Sequence, residues 1–95
     1  VMVPVKVPEP RRSTVAEYLT RANYGLRIGN FEMDYGDGEI RYKSSLDFEG
    51  VQLNRELVRN AVYPAVHTMD RYLPGLLSVM YGNQEPERAI AEIEA

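Results

Sequence analysis

His67 is the first residue in this 95-residue chain to test for chemistry, because it is the only histidine and no cysteine accompanies it. A metal centre or general base built on it would need further ligands at fixed spacing, yet its nearest acid is Asp70, three residues on. That predicts a polar place on a helix surface. The run Asp34-Tyr35-Gly36-Asp37-Gly38-Glu39 carries oxygens that could suit calcium, but their spacing is not that of an EF-hand loop. Gly36-Asp37-Gly38 is no phosphate cradle either, since such a loop joins a strand to a helix and this one joins two strands. Ser13, Ser44, Ser45 and Ser78 lack a motif that would activate a hydroxyl. Glu32 and Asp34 face basic residues across a predicted hairpin, so nothing raises their pKa for acid catalysis. These residues predict no catalytic group, no metal site and no cofactor.

The seven tyrosines suggest recognition instead. Tyr63 and Tyr72 fall on a long predicted helix beside methionines, a composition suited to adaptable protein contacts. Core packing is the ordinary use of such residues. The apolar stripe on that helix is nevertheless broad for so small a domain, which makes Val62, Met69, Tyr72 and Leu76 a candidate protein interface.

The elements that position these residues are legible in spacing. Valine at 1, 3, 5 and 7 alternates with Met2, Pro4 and Lys6, the period of an edge strand, with Pro4 denying one side a donor. Pro8 and Pro10 suit a helix's first turn, and Val15, Tyr18, Leu19 and Ala22 mark its buried face as far as Tyr24. A capping box at Thr14–Glu17 offers a later start, and the prolines are preferred. Gly25 is the expected helix terminator.

A hairpin follows, with Asp37-Gly38 read as a two-residue turn. That register sets Tyr35 opposite Ile40 and Met33 opposite Tyr42. On the other face it pairs Asp34 with Arg41 and Glu32 with Lys43. Gly29-Asn30 interrupts the alternation, and a β-bulge there would bring Ile28 to Leu46, Leu26 to Phe48 and Arg27 to Asp47. Beyond the loop at Glu49–Gln52, a helix should start at Asn54 and run to Met80 or Tyr81, about 40 Å long. Its heptad-like seam is Val58, Val62, Ala65, Met69, Tyr72, Leu76 and Val79, widened by Leu57, Ala61, Val66, Leu73, Leu77 and Met80. Pro64 and Pro74 predict kinks, or a break at Pro64. Pro86 opens a last short helix with Ala89, Ile90 and Ile93 on one side.

Composition agrees with one small domain over 1–95: 44% hydrophobic, 26% charged, and a net charge of −3. Eleven scattered basic residues make no stripe for nucleic acid. No apolar run reaches the length that spans a membrane. The lack of cysteine removes disulfides and thiolate sites, and it fits a reducing cytoplasm. Because the chain opens in mid-strand without an initiator methionine, it reads as the C-terminal part of a longer protein, incomplete at its N-terminus.

Four segments resemble the YbjN family of small bacterial proteins. They are the stretch from Ala16 to Leu26, Gly29-Asn30-Phe31-Glu32-Met33-Asp34, Gly38-Glu39-Ile40-Arg41-Tyr42, and Met69-Asp70-Arg71-Tyr72-Leu73-Pro74-Gly75-Leu76. The likeness covers about Val5 to Tyr81 and is structural in kind. It implies a fold like that of type III secretion chaperones, with this chain supplying the third strand onward. It also implies a role in regulating sensory transduction, without a mechanism and without catalytic residues to carry over. The expected architecture is therefore α+β, a mainly antiparallel two-layer sheet of edge strand and bulged hairpin against helices. The expected function is a non-enzymatic, cytoplasmic protein-binding module, homodimeric, with the long helix near the interface. The rival is a small-ligand sensor or enzyme with a pocket between helix and sheet, near Tyr35, Tyr42 and Ser44.

Overall fold

Pro8 and Pro10 start the helical part of the chain as their chemistry dictates. Pro10 lies in a 3-10 turn, Glu9–Arg11, closed by Arg11 N–H donating to the Pro8 carbonyl at 2.9 Å. Its missing N–H falls among first-turn donors that have no helical partner anyway. The computed structural model describes residues 2–26, 29–43 and 55–95, with Leu57, Val58 and Ala61 as backbone alone. After the 3-10 turn come α1 (Arg12–Gly25), β1 (Asn30–Met33), β2 (Ile40–Lys43), α2 (Arg55–Tyr81) and α3 (Pro86–Glu94). Helices packed on an antiparallel two-stranded sheet make the fold α+β, as expected.

In α1 the four residues expected on the inner face, Val15, Tyr18, Leu19 and Ala22, are all buried. Gly25 does not terminate the helix in the left-handed conformation. It stays within α1, and a Cβ there would come within 2.8 Å of the Glu94 carboxylate, so its smallness serves the approach of α3. Asn23 does the fastening at this end. Its side-chain oxygen accepts from Phe31 N–H at 2.6 Å, and its amide donates to Phe31 C=O at 3.0 Å. One side chain thus satisfies both backbone groups of a strand residue. Asn23→Ala should lower stability by about 1–3 kcal/mol, because Phe31 N–H loses its acceptor and Phe31 C=O keeps only the Asn30 amide at 3.3 Å. Urea unfolding with an unchanged slope would measure it.

The hairpin has the expected strands and a corrected register. Phe31 faces Tyr42, Glu32 faces Arg41 and Met33 faces Ile40, two residues away from the pairing predicted by an Asp37-Gly38 turn. Tyr35 lies in the turn and is exposed. Local hydrogen bonding is the reason. Asp34 Oδ1 accepts from Gly36 N–H at 2.7 Å, Asp37 Oδ1 accepts from Glu39 N–H at 2.8 Å, and Gly38 N–H donates to the Asp34 carbonyl at 2.7 Å. These side-chain turns widen the loop to four residues. Only Gly38 has positive φ there (78°), whereas a two-residue type I′ turn would need Asp37 to share it. The ion pair across the strands is Glu32–Arg41, 2.8 Å, not Glu32–Lys43. Gly29 has φ 76°, a left-handed break where the bulge was expected. The partners Ile28, Leu46, Asp47 and Phe48 lie outside the described residues, as does Asn54.

The predicted edge strand is corrected to an extended segment with one bridge, Met2 to Arg41. Val3 N–H donates to Ile40 C=O at 3.0 Å and Val7 N–H to Gly38 C=O at 2.8 Å. Four steps on this segment therefore match two on the hairpin, and the excess bends out at Pro4–Val5, where proline cannot donate. Val3 and Val7 still reach the core. Arg12 ties the same corner together, donating to the carbonyls of Val7 (3.1 Å) and Tyr35 (3.0 Å).

Helix α2 is continuous through Pro64 and Pro74, so no break occurs at Pro64. Its C-terminal half carries the core: Met69, Tyr72, Leu76, Val79 and Met80 are buried with the face of α1 and the hairpin residues Phe31, Ile40 and Tyr42. Phe31 makes edge-to-face contacts with Tyr42 (5.3 Å) and Tyr72 (5.7 Å). The Tyr18 hydroxyl donates to Tyr72 C=O at 2.6 Å, tying α1 to the backbone of α2. A Cβ on Gly75 would collide with both that hydroxyl (2.5 Å) and Ile93, so this glycine admits α1 and α3 together. Ala89 is buried in α3 and Ile90 and Ile93 pack against the core, the side predicted.

Candidate interaction face

The four residues proposed for an interface divide. Met69, Tyr72 and Leu76 are 6%, 2% and 2% exposed, packed inside the chain, and offer a partner no surface. Val62, at 47%, does. The seam they were drawn from runs inward over its C-terminal half, because α1 and α3 cover that half.

What α2 leaves open is a neighbouring stripe. Among the described residues, five of the eight large apolar side chains that face solvent belong to this helix: Val62, Tyr63, Val66, Leu77 and Tyr81. Val66 and Leu77, expected to widen the apolar seam beyond what so small a domain covers, stand outside the core. The groove at the helix's N-terminal end is lined by Arg55, Arg59, Val62 and Tyr63. The Arg59 guanidinium lies over the Tyr63 ring, 5.8 Å from its centroid. Aromatic and aliphatic surface under a guanidinium recognises other proteins well, since each supplies contact area with one polar handle. Spacing had singled out Tyr63 for such contacts, but not the Arg59 above it.

His67 is exposed on α2. No group of three or more histidine, aspartate or glutamate side chains able to hold a metal occurs among the described residues. The hydrogen bond from Arg41 holds the exposed Glu32 carboxyl below its ordinary range, so the pair favours folding above the usual carboxylate pKa and is lost as pH falls through the lowered value. Burial pushes the Tyr72 hydroxyl up, with the Glu94 charge second. For the rival pocket, Tyr35 is exposed in the turn, Tyr42 is buried against Phe31, and Ser44 lies outside the described residues. A separate crevice between α1 and α3 is lined by Thr20, Arg21, Tyr24, Gly25, Ile90 and Glu94. No helix among the described residues is long and apolar enough to cross a membrane.

Comparison with known proteins gives one match. Residues 2–78 fit the family model YbjN, described as "Putative bacterial sensory transduction regulator". No curated protein and no solved structure matches the chain.

Proposed function

The chain belongs to the YbjN family, and from that membership and the open stripe on α2 we propose a non-enzymatic regulator that acts by binding protein through this helix. The carrying observation is the placement of Val62, Tyr63 and Val66 in solvent on a helix whose seam from Ala65 to Val79 is already buried. Scattered exposed apolar residues are ordinary on a protein surface, but a contiguous row along one helix suits a partner helix or groove. The family description supplies the setting, regulation of sensory transduction in bacteria. The cytoplasm is the compartment that suits a chain without cysteine. A homodimer is the first assembly in this reading, and a chaperone-like role would use the same face.

Photo-crosslinking in bacteria tests it. A photoreactive phenylalanine in place of Tyr63 should form adducts with protein. The same group in place of Tyr24, 96% exposed on α1, should not. Equal adducts at both positions, or none at Tyr63, would refute the reading. Because Tyr63 lies outside the core, the substitution should leave stability within about 0.5 kcal/mol.

A further inference from the structure

We infer that the partner on this face is a second copy of the chain, its α2 antiparallel to the first, with Arg59 of each copy meeting Asp70 of the other. The inference rests on the protein-binding reading above and names the occupant. Arg59, Tyr63, Val66, Asp70, Leu73 and Leu77 follow one another by steps of four and three along α2. That is the repeat of a helix–helix seam. It is a second seam, beside the one that α1 and α3 bury, and all its members but the half-buried Leu73 are exposed.

Charge selects the orientation. The seam holds one cation at its N-terminal end and one anion eleven residues further on. Parallel pairing in register would set Arg59 against Arg59 and Asp70 against Asp70, like charges face to face. Antiparallel pairing about a two-fold axis at the level of Pro64 and Ala65 sets Arg59 against Asp70 twice. The same axis sets Tyr63 against Val66 twice, so the apolar pairs lie at the centre and the ion pairs at the rim. A shift of one heptad would place Arg59 on Leu77 and Asp70 on Val66, with both charges facing apolar groups and unpaired. Of these arrangements, only the antiparallel one about Pro64 and Ala65 sets both Arg59 and Asp70 against an opposite charge. Among the described residues Asp70 makes no ion pair within the chain, and Arg59 only overlies Tyr63. Both are therefore available to the other copy. A patch identical on both subunits and complementary to itself is what a two-fold dimer requires.

Sedimentation across a concentration series should show a monomer–dimer equilibrium. Arg59→Asp and Asp70→Arg should each weaken the dimer by about tenfold, since each turns two attractions into two repulsions. The double variant should return to within about threefold of the original. Both residues are exposed, so circular dichroism should report an unchanged fold. The chain has no cysteine, so a single nitroxide label can be placed cleanly. Labels on His67→Cys should lie close across the axis, about 8 Å apart along it, and labels on Tyr81→Cys about 50 Å apart. A monomer at every concentration, a dimer indifferent to the charge swaps, or equal distances from the two label sites would each overturn the antiparallel dimer. A Tyr63 adduct made only with a different protein would also overturn it while leaving the protein-binding reading intact.

Discussion

Tyr18→Ala should cost about 3–5 kcal/mol, a large share of the roughly 5–15 kcal/mol that holds a domain of this size together. The ring is completely buried where α1 meets α2, beside Gly75, so its removal leaves a cavity in the core. Tyr18→Phe keeps the ring and should cost no more than about 1 kcal/mol. The Tyr72 carbonyl it releases lies in α2, where the N–H of Leu76, four residues on, can serve it. A large loss with phenylalanine would mean that the hydroxyl, not the ring, holds the helices together. The same pair of proteins predicts an alkaline effect. Burial, then the charges of Tyr72 and Glu94, push the Tyr18 hydroxyl well above its usual value. A raised folded pKa gives stability that is complete below the unfolded tyrosine's value of about 10 and declines as pH rises from there through the folded one. In that window the original chain should lose about 1.4 kcal/mol per pH unit through Tyr18, and Tyr18→Phe should show a correspondingly shallower decline. Identical slopes would contradict the placement.

Gly38→Ala is the second large effect, expected at about 2–4 kcal/mol. Its φ of 78° costs a side chain about 1–3 kcal/mol. The added Cβ would also strike the Val7 carbonyl and sit 2.9 Å from the Val7 nitrogen, backbone that cannot swing aside as a side chain can. The bond from Val7 N–H to the Gly38 carbonyl would go with it, and Val3 and Val7 would lose their seat in the core. Gly36→Ala is the control. Its φ is not positive, and its Cβ would meet only the Asp34 side chain, at 3.0 Å. Thermal midpoints should separate the two by roughly 10 °C or more, at about 4–8 °C per kcal/mol for a domain this small. Hydrogen exchange at Val7 should quicken only in the Gly38 variant.

The hairpin shows why some of the fold could be read and some could not. Its two strands, its inward residues and its fold class follow from alternation. Its register does not, because alternation has period two and a slip of two residues leaves every side chain on the same face. Charge voted for the register that did not form: that one offers two opposite pairs, whereas the observed one keeps Glu32–Arg41, sets Lys43 against Asn30 and brings Asp34 to Glu39. The deciding signal was in the turn, where Asp34 and Asp37 each precede an N–H two residues on that their carboxylates can accept. The interface had a similar ambiguity. Spacing on α2 contains two apolar seams, and the one with the cleaner pattern, through Met69, Tyr72 and Leu76, is the one that tertiary packing claimed. The stripe left outside was recognisable only once α1 and α3 were in place. Gly25, taken as a helix stop, reads the same in sequence whether it ends a helix or lets another chain segment approach.

Arg11 donates to the carbonyl of Val79 at 2.6 Å, so the opening of α1 is latched to the closing turn of α2 across 68 positions of sequence. A ribosome making this chain must emit nearly the whole of α2 before that latch can engage, and the Tyr18 contact with Tyr72 waits almost as long. Until then Val15, Leu19 and Ala22 have only the hairpin for cover, which makes the growing polypeptide, more than the finished one, the form most in need of a chaperone's protection.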